Sequence, residues 1–246
     1  MMTTKKGRVM LRIAFSFLLF CAMAAQSASL VVVPVRVDIE KGARSATITL
    51  TNEGSTETSV QADISEWTQD ESGKDVYSDT DAIIAVPGIF TIPPGGSQIV
   101  RIGLVSEIAA PVEGAYRVFL TEIASAAKAS EGVGIQIRLR LAVPIFVEAA
   151  IEANPVLTLV SADYQDSNLA VVLHNEGNKH VQVRRLDLKS SAFDRPSDTT
   201  SSISAYLLPG TARKFSLPTP PDTPVKSLVV ETDNIGTVDY EIPVHN

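Results

Sequence analysis

Between Val133 and Val143 the chain reads Val133-Gly-Ile135-Gln-Ile137-Arg138-Leu139-Arg140-Leu141-Ala-Val143: every odd position is apolar, and the even positions include two arginines. A strict period of two is the signature of a β-strand with one apolar face. The run covers 11 residues, whereas an average strand has about 5–6. Two readings follow. The strand either lays one face on its own core, or it overruns that core and offers an open edge and apolar side chains to another chain. The second chemical feature is Val31-Val-Val-Pro34-Val35-Arg36-Val37-Asp38-Ile39. Pro34 confines this strand to an edge or a bulge. Arg36 is either a surface residue whose stem covers apolar neighbours or a planar fork for a carboxylate.

Catalytic chemistry finds little to use. There is no Gly-x-Ser-x-Gly elbow, no His-Glu-x-x-His and no phosphate-cradling glycine loop. The histidines are His174, His180 and His245. His174 and His180 flank the turn Asn175-Glu176-Gly177 and read as solvated residues with no third ligand. Asp70, Glu71 and Asp75 stand in a glycine-containing loop whose spacing does not match an EF-hand, so they read as a hairpin end. No enzyme activity, metal or cofactor is expected.

The elements that carry these residues follow a leader. Lys5, Lys6, Arg8 and Arg12 precede the apolar stretch 13–20, and small residues crowd 22–28. Positive charge, a short apolar core and a small-residue exit make residues 1–27 a signal peptide for export, with Ala24, Ala25 and Ser27 all acceptable cleavage points. The apolar run is short of the roughly 20 residues of a membrane span, so no membrane insertion is expected after cleavage. Cys21 follows the bulky Phe20, which argues against a lipidated cysteine. Cleavage after Ser27 removes four of the 21 basic residues and none of the 28 acidic ones, leaving a cysteine-free chain with net charge −11. That balance disfavours nucleic acid as a partner.

The remainder is all-β in pattern: short alternating segments at Val31–Ile39, Ser45–Leu50, Thr58–Trp67, Ile99–Leu104, Tyr116–Ile123 and Gly134–Val147, separated by Gly, Pro and Asn turns. The second half echoes the first. Ala46-Thr-Ile-Thr-Leu50-Thr-Asn52-Glu53-Gly54 is matched by Leu169-Ala-Val-Val-Leu173-His-Asn175-Glu176-Gly177, and Ile92-Pro-Pro94-Gly95 by Leu207-Leu-Pro209-Gly210. The glycine closing each Asn-Glu-Gly turn is expected to supply a positive φ. Two β-sandwich domains follow, 28–150 and 151–246, with the boundary near Ala149–Pro155.

The ordered set of segments resembles the periplasmic pilus (fimbrial) chaperones of chaperone–usher systems. It comprises Ser29–Val37, Ser45–Gly54, Trp67 before its acidic loop, Val86–Ile102 and Ala115–Ile123. The resemblance covers nearly all of the exported chain and is strongest before Asn154. It implies two immunoglobulin-like domains in an L-shaped arrangement. It also implies donor-strand complementation of pilus subunits that lack a final strand, and their delivery to an outer-membrane usher. On that basis Val133, Ile135, Ile137 and Leu139 form the donor strand, with Leu139 and Leu141 running on into the chaperone's own core. Arg36 and Arg140 anchor the subunit's C-terminal carboxylate, with Arg138 the substitute for Arg140. The family's aromatic-Arg-Pro segment is replaced by Leu-Ala-Val-Pro144, which resembles the archaic branch and removes the arginine of an interdomain salt bridge. The rival reading is a non-catalytic periplasmic structural or ligand-binding protein with the same two sandwiches. Ile135→Asp separates the two: circular dichroism should show a folded protein that no longer retains a co-expressed pilin, whereas a core strand would unfold.

Overall fold

The computed structural model describes residues 30–106, 109–123, 138–165, 167–190, 201–219 and 225–242. All of its regular structure is β. The first sandwich packs two sheets around one core. Strands β1 (Leu30–Val33), β3 (Ser45–Asn52), β8 (Ser97–Leu104) and β6 (Ile83–Val86) form one sheet in the order β1-β3-β8-β6. The other runs β2 (Val37–Ile39), β10 (Arg140–Val147), β9 (Gly114–Ile123), β4 (Thr58–Gln69), β5 (Asp75–Asp79). β7 (Ile89–Ile92) also pairs with β4, at its start, while β5 takes its end.

Alternation sorts the side chains. Ile48 and Leu50 of β3, Val100 and Ile102 of β8, Val118 and Leu120 of β9, and Val143, Ile145 and Val147 of β10 all meet in one buried cluster. Each fully buried aliphatic side chain of this kind contributes about 1.5–3 kcal/mol, so the register is fixed wherever the pattern is strict.

The second sandwich repeats the plan with β11 (Leu157–Gln165), β12 (Asn168–Asn175) and β15 (Ala212–Pro218) against β14 (Ser201–Leu207), β13 (Val181–Ser190), β16 (Val225–Thr232) and β17 (Thr237–Glu241). Its core gathers Leu169, Val171, Leu173, Val183, Leu186, Leu188, Phe215, Leu217, Leu228 and Val230.

The expected strand Val31–Ile39 is in fact two. β1 pairs with β3 in one sheet, and β2 pairs in parallel with β10 in the other. Pro34 and Arg36 lie in the crossing between them. A proline cannot donate to a ladder, and here it marks where the chain changes sheets.

The internal echo has a physical purpose. Asn52 is fully buried; its amide donates to the carbonyls of Thr56 and Ile92, and its side-chain oxygen accepts from the Gly54 N–H. Asn175 makes the same three bonds, to Lys179, Leu207 and Gly177. The backbone repeats as well: Gly95 N–H donates to Asn52 and Gly210 N–H to Asn175. The left-handed residues at these two ends are Gly95 (φ 69°) and Gly210 (φ 73°), so the positive φ expected at Gly54 and Gly177 is not found. Gly177 is needed for space instead, because a Cβ there would run into the Asn154 carbonyl.

Each asparagine side chain is therefore a single plug for three backbone groups at one end of its sandwich. Asn52→Ala and Asn175→Ala should each cost about 2–3 kcal/mol, since buried carbonyls lose their donors. Asn→Asp should cost more, because it turns a carboxylate toward two carbonyls. Urea unfolding of the four variants checks this order.

Candidate functional site

The crossing at Pro34–Arg36 has a direct consequence for β10. β2 begins at Val37, opposite Ile145. From Arg140 to Pro144, β10 therefore has β9 on one side and, among the described residues, no strand on the other. The ladder toward β9 continues past the strand's start, with Glu122 N–H donating to the Leu139 carbonyl at 2.9 Å. Leu139 and Leu141 are half-buried against the first core. Pro144 sits within this open stretch, where a missing N–H is tolerated. Val133, Ile135 and Ile137 lie outside the described residues.

On the outward face of the same sheet, aromatic rings and guanidinium groups alternate. Arg140 lies 4.0 Å from the centre of the Phe119 ring. Phe119 meets Tyr77 edge-on at 5.1 Å. Arg117 stands 4.0 Å from the Trp67 ring and 5.7 Å from Tyr77. Stacking of this kind holds a planar cation in place at about 0.5–2 kcal/mol per contact and leaves its edge free to donate. The Nε of Arg117 is buried and makes no hydrogen bond. Spacing in its own strand puts Arg117 on the face opposite Tyr116 and Val118 but does not place it beside these rings.

Arg36 is placed differently. Its Nε donates to Asp38 Oδ2 at 3.0 Å, and its Nη1 donates to Asp233 Oδ2 of the second sandwich at 2.6 Å. Burial works to lower the guanidinium's pKa, but the charges and hydrogen bonds of Asp38 and Asp233 outweigh it and raise it. Arg36 and Arg140 do not touch. The residue after Arg36 is level with Ile145, so Arg36 stands near the level of Pro144, four residues beyond Arg140 or about 13 Å along a strand. Arg117, opposite Pro144, is near the same level on the other side of β10. The three arginines thus border one stretch of β10, Arg140 at its start and Arg36 and Arg117 toward its end.

Arg117 and Arg36 stand beside the junction between the sandwiches. Trp67, Ala115 and Phe146 of the first meet Leu208 and Tyr206 of the second. His180, expected as a solvated turn residue, is instead buried here at 2% exposure. Its ring stacks on Phe146 at 3.6 Å, and its Nδ1 and backbone N–H both engage Glu113 Oε2, at 2.7 and 2.8 Å. The reason is tertiary: the turn that carries His180 packs against the other sandwich, where Asn178 is bonded to the Pro111 carbonyl. Gln69, at the end of β4, donates to Tyr206 O and accepts from Leu208 N–H and Thr211 Oγ1. Asp70 caps its own hairpin through Ser72 and Lys74, as a solvated hairpin end should. His174 remains partly exposed.

Two cavities flank the Arg36–Asp233 pair. One, of about 670 Å³, is lined by Pro34, Val35, Arg184 and Tyr206. The other, of about 530 Å³, is lined by Glu113, Phe146, Lys179 and His180. Arg36, Asp38 and Asp233 border both.

Two immunoglobulin-like sandwiches docked through an aromatic junction, the first with an open strand edge, define the class of fold. Residues 29–150 match the family model of the pili and flagellar-assembly chaperone, PapD N-terminal domain. The chain belongs to the pilus chaperone family. No curated protein matches it by sequence. Among solved structures it is similar to the chaperone CsuC, in its pre-assembly complex with the tip subunit CsuE of the archaic chaperone–usher Csu pili of Acinetobacter baumannii. The identity is 22%, the TM-score 0.64, and the match covers 87% of this chain and 98% of that one. It is also similar to a chain of the Salmonella enterica SafA pilin–SafB chaperone complex, at 13% identity and TM-score 0.61, covering 89% and 99% of the two chains.

Proposed function

We propose that this protein is a periplasmic chaperone of the archaic chaperone–usher branch. It is exported by the leader 1–27, with residues 28–150 as the strand-lending domain and 151–246 as the second. It holds pilus subunits by donor-strand complementation and passes them to an outer-membrane usher; it catalyses no reaction. The observation that carries the reading is the open edge of β10 with Arg36, Arg117 and Arg140 beside it.

The mechanism follows from those parts. An incoming subunit with an incomplete sandwich pairs its own edge with the backbone groups that β10 leaves free, so that main-chain hydrogen bonds bring the chains together irrespective of sequence. Val133, Ile135 and Ile137 then project into the subunit's open core, each contributing about 1.5–3 kcal/mol on burial. Leu139 and Leu141 reach back into the chaperone's core, which ties the loaned strand to a folded support.

Register is the remaining problem, because a slip of one residue turns every donor away from the subunit. A fixed cation that grips the subunit's terminal carboxylate solves it. Arg36 and Arg140 are the proposed anchors, and Arg117 joins them because it stands near the level of Arg36 across β10 with its guanidinium stacked on Trp67. Its rings leave it little freedom, so less entropy is lost when it binds.

A hydrogen bond to a charged group is worth about 1.5–3 kcal/mol. Arg117→Ala and Arg140→Ala should therefore each weaken a co-expressed pilin's complex by about 10- to 150-fold, with the chaperone still folded. Quantitative pull-down from periplasmic extract measures it. Undiminished complex in both variants would remove these two arginines from the anchor.

A further inference from the structure

Arg36 already holds two carboxylates. We propose that Asp233, with Asp38, is a built-in stand-in for the subunit's terminal carboxylate, so that capture at Arg36 proceeds by exchange of one carboxylate for another. This rests on the reading of Arg36 as a carboxylate anchor.

Three features carry it. First, the contacts are those of a ligand site: the guanidinium presents Nε and Nη1 to one carboxylate oxygen each, at 3.0 and 2.6 Å. Second, the stand-in is built to be left. Asp233 also accepts from the backbone N–H of Gln182 through its other oxygen, at 3.3 Å, and Asp38 is 46% exposed. When Arg36 turns away Asp38 is left to solvent, and Asp233, 8% exposed, keeps the Gln182 N–H, with Arg184 lining the same cavity. Third, there is room. The cavity of about 670 Å³ opens on Arg36 between the two sandwiches and admits the end of a chain.

The exchange has two effects. A cation that would otherwise sit unpaired in a crevice between domains is neutralised while the chaperone is empty. The subunit's affinity is also lowered by the fraction of time Arg36 is occupied, which makes capture reversible and eases hand-over. Because Asp233 belongs to the second sandwich, occupancy of Arg36 also couples subunit binding to the docking of the two domains.

The test uses the full exported chain and two small probes of chain-end chemistry, N-acetylphenylalanine and its amide. Binding is followed by the NMR signal of the Arg36 Nε–H group, assigned by its loss in Arg36→Gln. Asp233→Asn should tighten the acid about tenfold and leave the amide unchanged. Asp38→Asn should act in the same direction by less, and it serves as the test should Asp233→Asn fail to fold. If the acid shifts Arg36 equally in the wild type and in both variants, the exchange is overturned while Arg36 stands as an anchor. If the acid shifts Arg36 in none of them, the anchor reading itself fails, and the exchange with it.

Discussion

A row of backbone amide and carbonyl groups without a partner is among the costlier things a sheet can carry, and among the described residues no strand pairs with the outer edge of β10 from Arg140 to Pro144. The reason is that the chain leaves the first sheet at Val33 and joins the second only at Val37. Had the first strand stayed in register along β10, that edge would be closed. The stacked arginines and the aromatic junction stand beside this open stretch.

A loaned strand is useful only on a rigid support. The second sandwich supplies one through bonds that leave little slack: a buried His180–Glu113 pair stacked on Phe146, Gln69 satisfied three times over, and Arg36 bridging to Asp233. Arg36, in the crossing between β1 and β2, supplies an ion pair across the junction.

Much of this was legible in the sequence, and the exceptions have physical causes. Alternation in β3 gave its core face, because a period of two leaves one face to bury, whereas β9 and β10 also bury Ala115, Phe119 and Phe146 on the opposite face. The echo of Asn52 in Asn175 gave the repeat, because a buried plug for three backbone groups tolerates few other side chains. The break at Pro34 was legible only as a constraint; that it becomes a change of sheet depends on pairings far away in the chain. His180 was misjudged because local polarity does not reveal a neighbour 67 residues distant. Arg117 was missed because its role comes from rings on two other strands, Trp67 and Tyr77, which no spacing in its own strand announces.

The central claim is that the strand 133–139 is on loan. The only cysteine, Cys21, lies in the leader, so single cysteines can be placed at each position from 133 to 139 and their rates of thiol labelling compared with and without a bound pilin. A loaned strand predicts protection with a period of two: positions 133, 135 and 137 shielded in the complex and exposed without it, and 134 and 136 labelled in both. Uniform labelling unchanged by the pilin, or odd positions already shielded in its absence, would contradict the account.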